Sequence, residues 1–92
     1  MDAKHYKVEL ENEQVRVLRV NYGAHEKSEM HSHPNSVAIF QKDAHCRFTF
    51  PDGKTEEHRF RAGETLFTPA GSHLPENLSN QAIDLILVEL KR

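Results

Sequence analysis

The sequence predicts an all-β fold, a sandwich or barrel of short antiparallel strands. Three observations carry this. β-branched and aromatic residues cluster in runs of four to eight. Turn signals recur every eight to twelve residues, and several runs alternate apolar with polar side chains. Val15 to Tyr22 is a β-branched stretch with near alternation at Val15, Val17, Val20 and Tyr22. Val37-Ala38-Ile39-Phe40 is a short continuous apolar run, the pattern of a strand covered on both faces. Cys46, Phe48 and Phe50 alternate with Arg47 and Thr49, which places the three apolar groups on one face. Pro51-Asp52-Gly53 then presets a hairpin turn, and Thr55 to Arg61 returns as a polar, exposed strand. Ala62-Gly63-Glu64 is a second tight turn, and Thr65-Leu66-Phe67-Thr68 a strand stopped by Pro69-Ala70-Gly71. Ile83 to Leu90 fits a helix period as well, but its short length, β-branched content and strand neighbours favour a strand.

The chain has 92 residues, the size of one small domain. We read residues 1–12 as an N-terminal segment and 15–90 as the barrel. Twelve Lys and Arg against fourteen Asp and Glu give a net charge of −2, which excludes nucleic-acid binding by bulk positive charge. Apolar runs are too short to span a membrane as a helix. The start Met-Asp-Ala-Lys-His-Tyr-Lys has no apolar signal region, so a cytoplasmic protein is expected. The single cysteine, Cys46, excludes an internal disulfide framework and is expected to be a buried apolar thiol.

Seven histidines stand out in so short a chain. His31-Ser32-His33 is the chemical signal. In an extended strand, residues i and i+2 point to one side, so two imidazoles there can converge on one ion. Pro34 biases His33 toward extended geometry. The pair alone is a weak motif, because seven histidines give about half such a pair by chance. The second half strengthens it. The turn at Pro69-Gly71 would aim His73 inward, and a third imidazole completes the minimum donor set for a metal with open positions.

These residues resemble a known family. Gly23…His31-Ser32-His33, then Gly63-x5-Pro69-x-Gly71-x-His73-x3-Asn77, is similar to the two motifs of the RmlC-like cupins, in the right order and over most of the chain. The resemblance implies a double-stranded β-helix, a jelly-roll barrel that is often dimeric. It also implies a divalent metal, iron, zinc, nickel or manganese, held by His31, His33 and His73. The chain departs from the pattern where the first motif carries a glutamate ligand, since Val37 and Ala38 occupy those positions. Asp43 stands where a glycine closes the motif, and Gly23 lies two residues further from His31 than usual. Without the glutamate, the ion keeps its full 2+ charge and favours an anionic ligand or hydroxide. Glu29 shares the parity of His31 and is a candidate fourth ligand; Gln41 and Glu76 are weaker ones, and water or a small anion is preferred to all three.

Elsewhere, His25 is read as a loop residue, His45 and His58 as surface residues, His5 as part of a mobile terminus, and Asn77 as a turn residue. The pocket should be narrow and apolar, built from Val37 and Ile39 or Ala38 and Phe40, with Cys46, Phe48, Phe50, Leu66 and Phe67. It suits a small organic acid, dione, thiol or polyol. The expected function is a dioxygenase-like or other metalloenzyme acting on such a molecule. A non-catalytic binding or sensing module and a zinc-hydroxide hydrolase or isomerase are the alternatives. Unpaired strand edges of a short barrel argue for a homodimer.

Overall fold

Nine antiparallel strands account for nearly all the regular structure in the computed structural model, which describes residues 3–91. In chain order they are β1 (Tyr6–Glu11), β2 (Val15–Tyr22), β3 (His31–His33), β4 (Ser36–Phe40), β5 (Ala44–Thr49), β6 (Thr55–Phe60), β7 (Thr65–Thr68), β8 (Gly71–Asn77) and β9 (Ile83–Leu90). They form two sheets, β1-β2-β9-β4-β7 and β3-β8-β5-β6. Among the described residues no helix is long and apolar enough to cross a membrane. The stretch 83–90, which also fits a helical period, is a strand. It sits between β2 and β4, and its backbone is bonded on both edges.

The two sheets face each other across an apolar core. Leu18, Val20 and Tyr22 of β2 meet Ala38 and Phe40 of β4, Cys46 of β5, Phe60 of β6 and Ile83 of β9. The inward set of β4 is thus Ala38 and Phe40, while Val37 and Ile39 are half-buried on the other face. On β2 the inward parity is that of Leu18, Val20 and Tyr22. Val15 and Val17, although β-branched, are only half-buried. Phe40 and Phe60 stack at 4.2 Å.

The turns follow their chemistry. Gly53, at φ 87°, lies in the β5–β6 hairpin, where its N–H donates to Phe50 O at 2.9 Å. Gly63, at φ 86°, serves the β6–β7 turn in the same left-handed conformation.

Within the N-terminal segment, Tyr6–Glu11 form a strand of the larger sheet. β1 pairs with β2 along its length, with Tyr6 opposite Val20. His5 is not mobile as expected. It is buried and stacks flat on Tyr22, with ring centres 4.2 Å apart. Lys4 pairs with Glu26 at 2.7 Å. The Lys4 hydrogen bond, followed by the Gly23 N–H, holds the Glu26 carboxyl down to about 2.

Asn77, expected in a turn, is the last residue of β8 and has a structural role. It is fully buried, and its Nδ2 lies within hydrogen-bonding reach of the carbonyls of Tyr22, Gly23 and Gln81 at 3.3, 3.0 and 2.8 Å. Its Oδ1 accepts from the N–H and hydroxyl of Ser79. One side chain thus ties the end of β2 to the β8–β9 turn. Asn77→Ala leaves these carbonyls, that of buried Tyr22 among them, without this donor and is expected to cost about 2–3 kcal/mol in urea unfolding. A loss under about 0.5 kcal/mol, the level of an ordinary surface change, would contradict this role.

Candidate metal and ligand site

The site is made by strand register. β3 pairs antiparallel with β8 so that His31 lies opposite His73 and His33 opposite Gly71. Directly paired residues present their side chains on the same face, as do residues i and i+2 of one strand. His31, His33 and His73 therefore share a face. Between them, Ser32 and Ser72 turn to the other side, where their hydroxyls bond at 2.8 Å. Gly71 has no side chain, so nothing stands opposite His33.

The rings meet. His73 is edge-on to His31 with centres 5.0 Å apart, and tilted against His33 at 4.5 Å. Phe48 stacks on His73 at 5.0 Å. All three imidazoles line one apolar cavity of about 80 Å³ with Cys46 and Phe48 of their own sheet, closed on the opposite sheet by Val20, Tyr22, Ala38, Phe40, Leu66, Leu85 and Leu87. Beyond it lies an outer groove of about 440 Å³, lined in part by Phe50, Phe67 and His58; His33, Phe48, Leu66, Thr68 and His73 border both spaces. Phe50 and Phe67 thus belong to the groove, not the inner cavity, and Phe67 is 55% exposed. Pairing with Phe67, Val37 lies on the outward face of β4, so the position of the absent glutamate falls on outward Val37 or on small, inward Ala38.

Protonation suits cation binding. The Nδ1 of His33 lies 2.8 Å from Pro34 O, and that of His31 lies 3.2 Å from Glu29 O. A carbonyl only accepts, so Nδ1 carries a proton in each ring, and the tautomer this selects for the neutral ring is the one with its lone pair on Nε2. Burial, then the nearby His33 and His31, push His73 down to about 4, so its ring is neutral near pH 7. Imidazoles sharing one tetrahedral ion through bonds of about 2.0–2.1 Å have ring centres about 5 Å apart. The donor chemistry and ring spacing therefore fit a cation. The nitrogens do not yet converge: among the described residues, no group of three or more His, Cys, Asp or Glu is arranged to hold a metal ion.

Of the three fourth-ligand candidates, Glu76 alone is among the residues lining the cavity. Glu29 is exposed and meets His31 through its backbone carbonyl. Glu76 pairs with Arg47 at 3.8 Å, and Gln41 is exposed. His25 is an exposed loop residue at φ 60°, with Nε2 2.6 Å from Asn80 Oδ1. His45 pairs with Glu57 at 2.6 Å. His58 pairs with Glu56 at 3.1 Å, its ring against Phe48 at the groove.

Sequence reasoning missed Tyr6 and Tyr22. The Tyr6 hydroxyl bonds to the Tyr22 hydroxyl at 2.7 Å and lies 3.4 Å from His31 Nε2. No motif marks them. The available signal was the alternation of β2 running inward to Tyr22, with β1 as its neighbour.

Comparison with solved structures places this architecture. A cupin domain from Bordetella pertussis Tohama I is 20% identical over 95% of this chain and 92% of its own, with a TM-score of 0.87. An RmlC-like cupin with a double-stranded β-helix fold from Methanocaldococcus jannaschii is 22% identical over 97% and 83%, with a TM-score of 0.72. An oxalate oxidase in complex with the substrate analogue glycolate is 20% identical over 85% of this chain and 43% of its own, with a TM-score of 0.63. No protein-family model matches the chain, and no curated protein matches it in sequence. The two packed sheets and these likenesses define the class: the chain has the cupin fold, the RmlC-like double-stranded β-helix.

Cys46 lies at the base of the cavity, 4% exposed, and burial pushes its thiol up to about 12. It should resist a thiol reagent at pH 8 in the folded protein and react at once in urea. Rapid labelling of the native protein, at a rate near that of the unfolded chain, would contradict its burial.

Proposed function

We propose that this protein is a small metal-binding cupin in which His31, His33 and His73 hold one divalent cation, iron, zinc, nickel or manganese, against an apolar pocket. We take it to act on a small organic molecule as a dioxygenase-like or other metalloenzyme. The observation that carries the reading is the gathering of three imidazoles on one face of β3 and β8, in one cavity. Backbone carbonyls fix the tautomers of His31 and His33, and burial keeps His73 uncharged. Convergence of the three nitrogens then requires ring rotation.

When bound, the cation would act as a Lewis acid for a small polar substrate, with open positions beyond the three imidazoles. The residues of the chain supply the rest. Phe48, Leu66 and Phe40 exclude water, which strengthens electrostatic attraction within the cavity. Three neutral donors leave the 2+ charge uncompensated, so an anionic group is favoured. A cavity of about 80 Å³ restricts the ligand to a few heavy atoms. A small carboxylate meets both conditions, and the oxalate oxidase complex with glycolate makes glycolate and oxalate the first compounds to test. A homodimer covering the β1 edge, where Val8 and Leu10 are exposed, belongs to the same reading.

Protein purified without an affinity tag should bind one equivalent of Zn²⁺ or Fe²⁺ by calorimetry and elemental analysis. His31→Ala, His33→Ala and His73→Ala should each weaken binding by more than the about 10–100-fold typical of losing an outer-sphere partner, with the β-sheet circular dichroism unchanged. His58→Ala should bind as the parent does. Parent-like affinity in all three ligand variants would refute the site.

A further inference from the structure

We propose that Tyr6 supplies the fourth, anionic ligand of the metal site, through its phenolate oxygen. This rests on the three-imidazole reading above and adds to it the charge that an absent carboxylate leaves unsupplied.

The argument starts from what anchors Tyr6. β1 is fixed at its start by the Lys4–Glu26 ion pair and by the His5–Tyr22 stack. The N–H of Asn21 also donates to His5 O at 2.9 Å. Tyr6, next in sequence, is opposite Val20 and turns into the cavity. Its ring is edge-on to Tyr22 and to His31, with centres 5.9 and 5.4 Å apart. The phenol is therefore a positioned group on the wall facing the histidines.

Distance and charge then select it. Two donors at about 2.0–2.1 Å from a common tetrahedral ion lie about 3.4 Å apart. Tyr6 Oη is hydrogen-bonded to His31 Nε2 at 3.4 Å, the same separation that two ligands of one ion keep, whereas Glu29 is exposed and Glu76, which also lines the cavity, pairs with Arg47. On ligation the phenol O–H bond breaks, the oxygen pair binds the cation, and the proton leaves to solvent. Tyr22, whose hydroxyl is 2.7 Å away, then donates its O–H to the phenolate. Three neutral imidazoles and one phenolate lower the net charge of the site from 2+ to 1+.

The test uses the fact that the chain has only two tyrosines, both in this cavity. The tag-free protein is loaded with Fe²⁺, oxidised in air, and its iron content and visible absorption are measured. Bound iron with a phenolate-to-ferric charge-transfer band is expected. The band should vanish in Tyr6→Phe with iron still bound. It should persist in Tyr22→Phe, shifted to longer wavelength by loss of the hydrogen bond. Thermal unfolding of each variant checks that it is folded, and the parent spectrum needs no variant at all. Bound iron without a band in the parent, or a band that survives Tyr6→Phe, overturns the assignment while leaving the three-imidazole site intact. Absence of any bound iron or zinc in the parent overturns both.

Discussion

The register between β3 and β8 is the constraint from which the functional reading follows. Pairing His31 with His73 and His33 with Gly71 puts three imidazoles on one face. A slip of one residue would send them to opposite faces, because side-chain direction alternates with every residue. Two features favour the observed register. The Ser32 and Ser72 hydroxyls bond across the outer face. β8 continues past β3 to pair with β5, where Phe48 faces Pro75 and Cys46 faces Asn77, so the core fixes β8 independently of the short strand beside it. A three-residue strand with few backbone bonds of its own is held by a neighbour that is anchored elsewhere.

Burial sets the chemistry of the site. An imidazole in water is partly protonated near neutral pH and competes poorly as a ligand. His73, packed between Phe48 and two other imidazoles, is pushed down to about 4 and stays neutral. The same apolar walls push Cys46 up to about 12 and hold it as a thiol. One environment thus favours the neutral form of both groups, for one physical reason: charge is costly where water is excluded. Ala38, small and inward, adds no negative charge to that space.

Most of the fold was legible in the sequence because its signals are local. The Pro51-Asp52-Gly53 and Ala62-Gly63-Glu64 turns fall where glycine φ values above zero are needed. The alternation of Cys46 and Phe48 names inward residues correctly. Parity was harder where both faces are apolar. On β4 the choice between Val37 with Ile39 and Ala38 with Phe40 depends on which neighbours the strand acquires. Phe67 is a large aromatic side chain that the sheet nevertheless leaves outward. The histidine trio was readable because period-two spacing and a turn place it. Tyr6 was not, since its role depends on β1 docking beside β2, a contact between segments that no spacing encodes. His5 was misread for the same reason: its burial comes from the Tyr22 ring, not from its sequence neighbours.

The central claim, that three imidazoles meet at one cation, is tested most directly by long-range ¹H–¹⁵N NMR of the histidine rings during a Zn²⁺ titration of the full chain. One ring nitrogen each of His31, His33 and His73 should move together to the metal-bound chemical shift and saturate at one equivalent. His25, His45 and His58 should remain unchanged. Zinc-induced shifts confined to the latter three, or no saturable change in the trio, would contradict the account.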